Sequence, residues 1–89
     1  MNTFKLIVSS PDGHIFNGEC VRFDVRGTEG ELAIMAGHIP FVTAVVKSSC
    51  TIVMENGEKK AATTDGGLLA VSKDTVTFVS GSFKFDDNK

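Results

Sequence analysis

The sequence predicts an all-β domain, an antiparallel β-sandwich or flattened barrel of about eight to ten short strands. Three observations lead there. Val and Ile total 15 of the 89 residues, with 8 Thr and only 4 Leu. Branching at Cβ suits a pleated strand and costs rotamer freedom in a helix. Turn chemistry recurs at the spacing of a sandwich, with a signal roughly every 8–12 residues. No apolar pattern with helical period lasts beyond about two turns.

The elements follow in chain order. Thr3 to Ser9 reads as a short strand, closed by the turn residues Pro11-Asp12-Gly13. Ile15 to Arg26 reads as the next, with Gly18 as its expected bend or bulge. Within it Val21, Phe23 and Val25 alternate with Arg22, Asp24 and Arg26. Period 2 assigns the apolar set to the core and the charges to solvent. Gly27-Thr28-Glu29-Gly30 is a turn, Glu31 to Met35 a strand, and Gly37-His38-Ile39-Pro40 a second break. Phe41 to Val46 is apolar enough to be a buried strand, and Cys50 to Met54 follows it. Asn56-Gly57 between strand-like runs predicts a hairpin with a type I′ turn. Lys59 to Thr64 is its polar return strand, expected at a sheet edge. Gly66-Gly67 precedes Leu68 to Val71, and Lys73-Asp74 leads to Thr75 to Val79. The domain is expected over residues 1–84, with 85–89 as a frayed polar tail.

Composition excludes several classes. A chain this short builds one core and no second domain. Nine Lys+Arg against eleven Asp+Glu leave a net charge of −2, without the positive excess that phosphate backbones demand. No apolar run approaches the roughly 20 residues of a membrane-spanning helix, and no basic n-region with an apolar stretch follows Met1. Cys20 and Cys50 are far apart with no histidine beside either, which fits neither a zinc site nor a Cys-x-x-Cys redox motif. They read as reduced, small apolar fillers. There is no Gly-x-Ser-x-Gly elbow and no phosphate-binding Gly-rich loop, so neither catalytic residues nor a cofactor site is expected. One weak metal reading remains, Glu29, Glu31 and His38 as ligands, because a histidine with two carboxylates suits a divalent ion.

The stretch from Gly27 to Ala44, GTEGELAIMAGHIPFVTA, carries a more specific signal. It resembles the epsilon subunit of F-type ATP synthases (delta in mitochondria), whose usual form is Gly-x-x-Gly-Glu-Leu-Gly-Ile-x-Pro-Gly-His-x-Pro-Leu-Leu-Thr. Asp65-Gly66-Gly67-Leu68-Leu69-Ala70-Val71 is similar to the family's Gly-Gly-x-x-x-Val, and Pro11 to Gly18 to its Phe-x-Gly strand. The three matches keep the family's order and span nearly the whole chain. Ala33 and Ala36 depart from it, standing where Gly and Pro are usual.

The resemblance implies a non-catalytic rotor subunit of the central stalk, held to the gamma subunit and to the ring of c subunits. Such a subunit couples ion translocation to ATP synthesis. It implies a peripheral place on the cytoplasmic face of the bacterial cell membrane, within the synthase. Glu29, Glu31 and His38 match the family's turn facing the c ring. Gly27, Gly30, Gly37, Pro40, Gly66 and Gly67 are expected to shape turns. The family's usual C-terminal pair of helices, which inhibits hydrolysis and in some bacteria binds ATP, would follow the β domain. These residues lack it, so neither property is expected here. Two other readings stay open: a free-standing sandwich module for another partner, and a small cupin-like metal enzyme.

Overall fold

The computed structural model describes residues 2–37 and 39–86 and contains ten strands. They are β1 (Phe4–Ser10), β2 (Gly13–Cys20), β3 (Arg22–Gly27), β4 (Gly30–Met35), β5 (Phe41–Val45), β6 (Ser48–Val53), β7 (Lys59–Thr64), β8 (Gly67–Val71), β9 (Thr75–Ser80) and β10 (Phe83–Phe85). The hydrogen-bonded order is β10-β7-β6-β3-β5-β8-β9-β1-β2, with β4 on the other edge of β3. The path folds into two layers. One holds β4-β3-β6-β7-β10 and the other β5-β8-β9-β1-β2, joined where Gly27 pairs with Val45. At the open seam between β10 and β2 the rings of Phe16 and Phe85 meet edge to face, 6.2 Å apart. The result is a nearly closed, flattened barrel.

The core between the layers comes from the period-2 positions. Phe4, Leu6 and Val8 of β1, Phe23 and Val25 of β3, Leu69 and Val71 of β8, and Val76 and Phe78 of β9 are all buried. Phe23 and Phe78 pack at 6.1 Å between centroids, and Phe83 joins Phe78 at 6.0 Å. Arg22 and Arg26 point outward, as the alternation requires.

Several local expectations change. The run Ile15–Arg26 is two strands, because the chain bends at Val21, whose N–H donates to the Val53 carbonyl at 2.8 Å. Val21 is accordingly half-buried rather than in the core, and Asp24 is half-buried rather than exposed. The irregularity in β2 is not at Gly18, which pairs with Leu6; it lies where the register shifts between Val8 and Ser9. The β6–β7 hairpin is not type I′. No described non-glycine residue has positive φ, so Asn56 does not supply it. The Gly57 N–H donates to the Met54 carbonyl, and Gly57 at φ 93° then closes a three-residue loop. β7 is not a bare edge, because β10 pairs along Ala62–Thr64. The sheet also reaches past residue 84: Phe85 pairs with Ala62, and the Asp86 N–H donates to the Ala61 carbonyl at 2.8 Å. The rest of the expected tail, 87–89, lies outside the described residues. One pairing departs from the antiparallel rule, with β1 running parallel to β9.

Candidate functional site

Strand directions sort the turns onto two ends of the sandwich. One end carries the connections β1–β2 (11–12), β3–β4 (28–29), β5–β6 (46–47), β7–β8 (65–66) and β9–β10 (81–82). The other carries the N-terminal residues, the bend at Val21, residues 36–37 and 39–40, and the loops 54–58 and 72–74. The first end is acidic. Asp12, Glu29, Glu31 and Asp65 stand there against Arg26, Lys47 and Lys84. Glu29 is exposed at the tip of the tight β3–β4 turn, which Gly30 closes at φ 127°. Glu31 lies directly across from Arg26 in the β3–β4 ladder and accepts from its guanidinium at 3.1 Å. Both side chains are more than half exposed, so the pair contributes little to folding.

Sequence reasoning joined Glu29, Glu31 and His38 in one turn. The structure separates their neighbourhoods. β4 carries the chain from Gly30 at the acidic end to Met35 at the opposite end, roughly 17 Å at about 3.3 Å per residue. Gly37 and Pro40 follow at that far end, where Gly37 lies beside Asn2, Thr3, Lys73 and Asp74. His38 itself lies outside the described residues. The residue before it is therefore across the sandwich from Glu29.

A buried polar knot underlies the acidic end. Ser80 Oγ lies 2.9 Å from the Gly66 carbonyl and 2.7 Å from the Ser82 carbonyl, the acceptors for its one proton. The Thr64 hydroxyl, 2.7 Å away, is then left to donate to Ser80, and it accepts from the Gly66 N–H at 3.0 Å. The Asp65 N–H donates to the Ser82 carbonyl at 3.0 Å. Turns 65–66 and 81–82 are thereby tied to each other and to the strand ends. Glycine is required here by space. A Cβ on Gly66 would sit 2.5 Å from the Val45 carbonyl oxygen, and one on Gly67 would overlap the Val79 carbonyl oxygen. Sequence reasoning missed Thr64 and Ser80, since polar residues in a strand read as surface.

The two outer faces differ in kind. On the β4-β3-β6-β7 face, Arg22 pairs with Asp24 at 2.7 Å and Arg26 with Glu31, beside the hydroxyls of Ser49 and Thr51. The β5-β8-β9-β1 face is uncharged across two full rows. Cross-strand register aligns Val42, Ala70, Thr77 and Ile7 in one row, and Ala44, Leu68, Val79 and Ser9 in the next. Val42 is 64 %, Leu68 53 % and Val79 52 % exposed. The apolar run Phe41–Val46, expected as a buried strand, thus divides. Val45 faces the core while Val42 and Ala44 face outward.

Cys20 and Cys50 are both free and buried, one in each layer. Burial pushes each thiol up to about 11. Among the described residues no group of three or more His, Cys, Asp or Glu converges as a metal site.

Residues 3–85 match the family described as the ATP synthase Delta/Epsilon chain, beta-sandwich domain. The chain belongs to this family. An ATP synthase epsilon chain of Clostridium perfringens is 40 % identical over 87 residues, covering 98 % of this chain and 65 % of that protein. One from Wolbachia pipientis is 34 % identical over 88 residues, covering 99 % of this chain and 78 % of the relative. The chain thus spans about two thirds of the Clostridium epsilon chain. Among solved structures, a chain of the Euglena gracilis mitochondrial ATP synthase (OSCP/F1/c-ring) superposes with a TM-score of 0.89 at 21 % identity, over 93 % of this chain and 53 % of that one. A chain from the central stalk and c ring of the Tetrahymena thermophila mitochondrial ATP synthase gives 0.74 at 15 %, over 89 % and 63 %. At these identities the superpositions speak to the fold alone, and they support the sandwich.

Proposed function

We propose that this epsilon-family domain is a non-catalytic rotor module of an F-type ATP synthase. It binds the gamma subunit through the uncharged face of β5, β8, β9 and β1, and the c ring through the acidic end. The observation that carries the reading is this pair of unlike surfaces on one closely packed sandwich. Rows of outward Val, Leu, Ile and Ala suit an apolar partner surface, because a contiguous exposed apolar patch rimmed by polar residues marks an interaction site. Glu29 and Glu31 at the end turn suit Arg and other polar donors on c-subunit loops, with charge-assisted bonds of about 1–3 kcal/mol when partly desolvated. Coupling ion translocation to ATP synthesis then requires only that both contacts hold while the rotor turns. The module's place is peripheral, on the cytoplasmic face of a bacterial membrane within the synthase. His38 lies outside the described residues and is not assigned to the c-ring contact.

The test separates the two surfaces. Leu68→Lys is expected to abolish co-purification with gamma. Glu29→Lys is expected to retain gamma and to weaken docking of the gamma–epsilon pair on the c ring. In rebuilt membranes, both should lose ATP-driven ion pumping while hydrolysis persists. Full coupling with both variants overturns the assignment of these surfaces.

A further inference from the structure

We infer that the c ring is recognised by a stripe of alternating charge, Glu29, Lys47 and Asp65, rather than by the acidity of that end as a whole. This rests on the proposed c-ring docking and names Lys47 and Asp65 as further binding residues for it. The turns at the end lie in a row. Turn 46–47 adjoins the β3–β4 hairpin, because the Val46 N–H donates to the Arg26 carbonyl at 3.0 Å. Turn 65–66 comes next, since a Cβ on Gly66 would stand 3.3 Å from the Lys47 nitrogen. Turn 81–82 follows, with the Asp65 N–H bonded to the Ser82 carbonyl at 3.0 Å. Along this row the exposed charges run Glu29, Lys47, Asp65, and Gly81-Ser82 beyond them is uncharged. Lys84 is set back from the row, across from Thr63 in the β7–β10 ladder. None of the three is in an ion pair among the described residues, whereas Arg26 and Glu31 hold one another. The backbone beneath them is pinned. The Ser48 hydroxyl donates to the Val46 carbonyl at 2.8 Å, and the Gly66 N–H to the Thr64 hydroxyl at 3.0 Å. A partner therefore has side chains to order but no backbone.

The partner that fits presents cation, acceptor, cation in that order. A ring of identical subunits does so by symmetry. It repeats one polar loop at a fixed step, so two adjacent copies offer the same cation twice with acceptor oxygens between. Glu29 and Asp65 take the two cations, and Lys47 takes the acceptor. A surface with another order of signs sets like charges together and is rejected.

Binding of the purified gamma–epsilon pair, with the whole chain as epsilon, to c rings in detergent at low and high salt tests this. Lys47→Glu makes the end more acidic, so a contact driven by acidity alone would tighten. The stripe requires the opposite, a loss of at least about fivefold. Asp65→Lys should weaken docking by a similar factor. The exchange Lys47→Asp/Asp65→Lys keeps the net charge and inverts the order, and should lose about tenfold or more. All three losses should shrink at high salt. Gamma binding and thermal melting should stay at wild type, because both side chains are exposed. Wild-type or tighter docking of Lys47→Glu, or wild-type docking of the exchanged protein, overturns the inference. The two readings fail separately. Docking weakened in Glu29→Lys but retained in Lys47→Glu and Asp65→Lys leaves the c-ring reading and removes the stripe. Docking retained in all three, or absent from the wild type, removes both.

Discussion

Replacing Gly67 by alanine adds one methyl group where two strands approach most closely. Its Cβ would overlap the Val79 carbonyl oxygen and lie 2.9 Å from Ser80 Cα, and both are backbone atoms. No side chain can turn away to make room, so β8 and β9 must part at the Gly67–Ser80 pair. Overpacking of this kind costs about 1–3 kcal/mol. Displacing Ser80 also loosens the one hydroxyl bond that it shares between the Gly66 and Ser82 carbonyls, which contributes about 0.5–1.5 kcal/mol. A total of roughly 2–4 kcal/mol is expected, against about 4–13 kcal/mol for a domain of 89 residues at typical per-residue stability. Gly81→Ala is the control. Nothing lies within 4 Å of a Cβ there and φ is not in the left-handed region, so the change is expected within about 0.5 kcal/mol of wild type. Urea denaturation of both variants decides the matter. If Gly67→Ala falls within about 1 kcal/mol of Gly81→Ala, the close approach of β8 and β9 does not control stability.

Phe23→Ala removes a fully buried ring that packs on Phe78, and should cost about 3–5 kcal/mol by denaturant midpoint; a loss below 1 kcal/mol would show that the core collapses around the gap. The buried thiols give an alkaline signature. Their folded-state pKa of about 11 lies above the ordinary 9.0, so the unfolded chain loses protons first. Stability is therefore full below about pH 9 and falls as pH rises toward 11. Cys20→Ala/Cys50→Ala should flatten that limb in urea midpoints taken at pH 8 and 10.5; an unchanged slope refutes it. Glu31→Lys breaks only an exposed pair with Arg26, so melting should hardly move. Binding to the c ring should weaken and lose salt sensitivity, and unchanged affinity at low and high salt would remove Glu31 from the contact.

Much of this was legible in residue order. Phe23 and Val25 against Arg22 and Arg26 fixed which side of β3 faces inward, because a one-residue slip would bury two guanidinium groups. The turn residues located most connections. The parallel pairing of β1 with β9 was not legible, since no local pattern announces a partner some seventy positions away. Nor was the break at Val21, which depends on a single bond to Val53 across the layer. The candidate site shows the limit most clearly. Glu29 and Gly37 are eight positions apart in one recognisable stretch, yet β4 between them crosses the whole sandwich. The uncharged outer face was hidden differently. A strand apolar on both sides reads as buried, and only the register reveals that Val42, Leu68 and Val79 look outward together.

Those same strands connect the two proposed contacts. β8 and β9 present Leu68 and Val79 on the outer face and Leu69 and Phe78 to the core. They end in the Thr64–Ser80 knot that fixes turns 65–66 and 81–82 at the acidic end. A rotor element needs its two contacts held rigidly relative to one another, and this knot is where the sheet grips the end turns. Ser80→Ala removes the donor to two carbonyls and leaves the Thr64 hydroxyl short of a buried partner, a cost of about 1–3 kcal/mol. The outer rows are untouched, so gamma binding should stay within about twofold of wild type. The amide protons of Asp65 and Ser82 should exchange faster, since local opening follows the loss of buried bonds, and docking on the c ring should weaken several-fold. Unchanged exchange at Asp65 and Ser82 would mean the backbone bonds alone hold the end. Faster exchange with full ring affinity would mean these turns play no part in docking, and would confine the c-ring contact to the β3–β4 turn that bears Glu29.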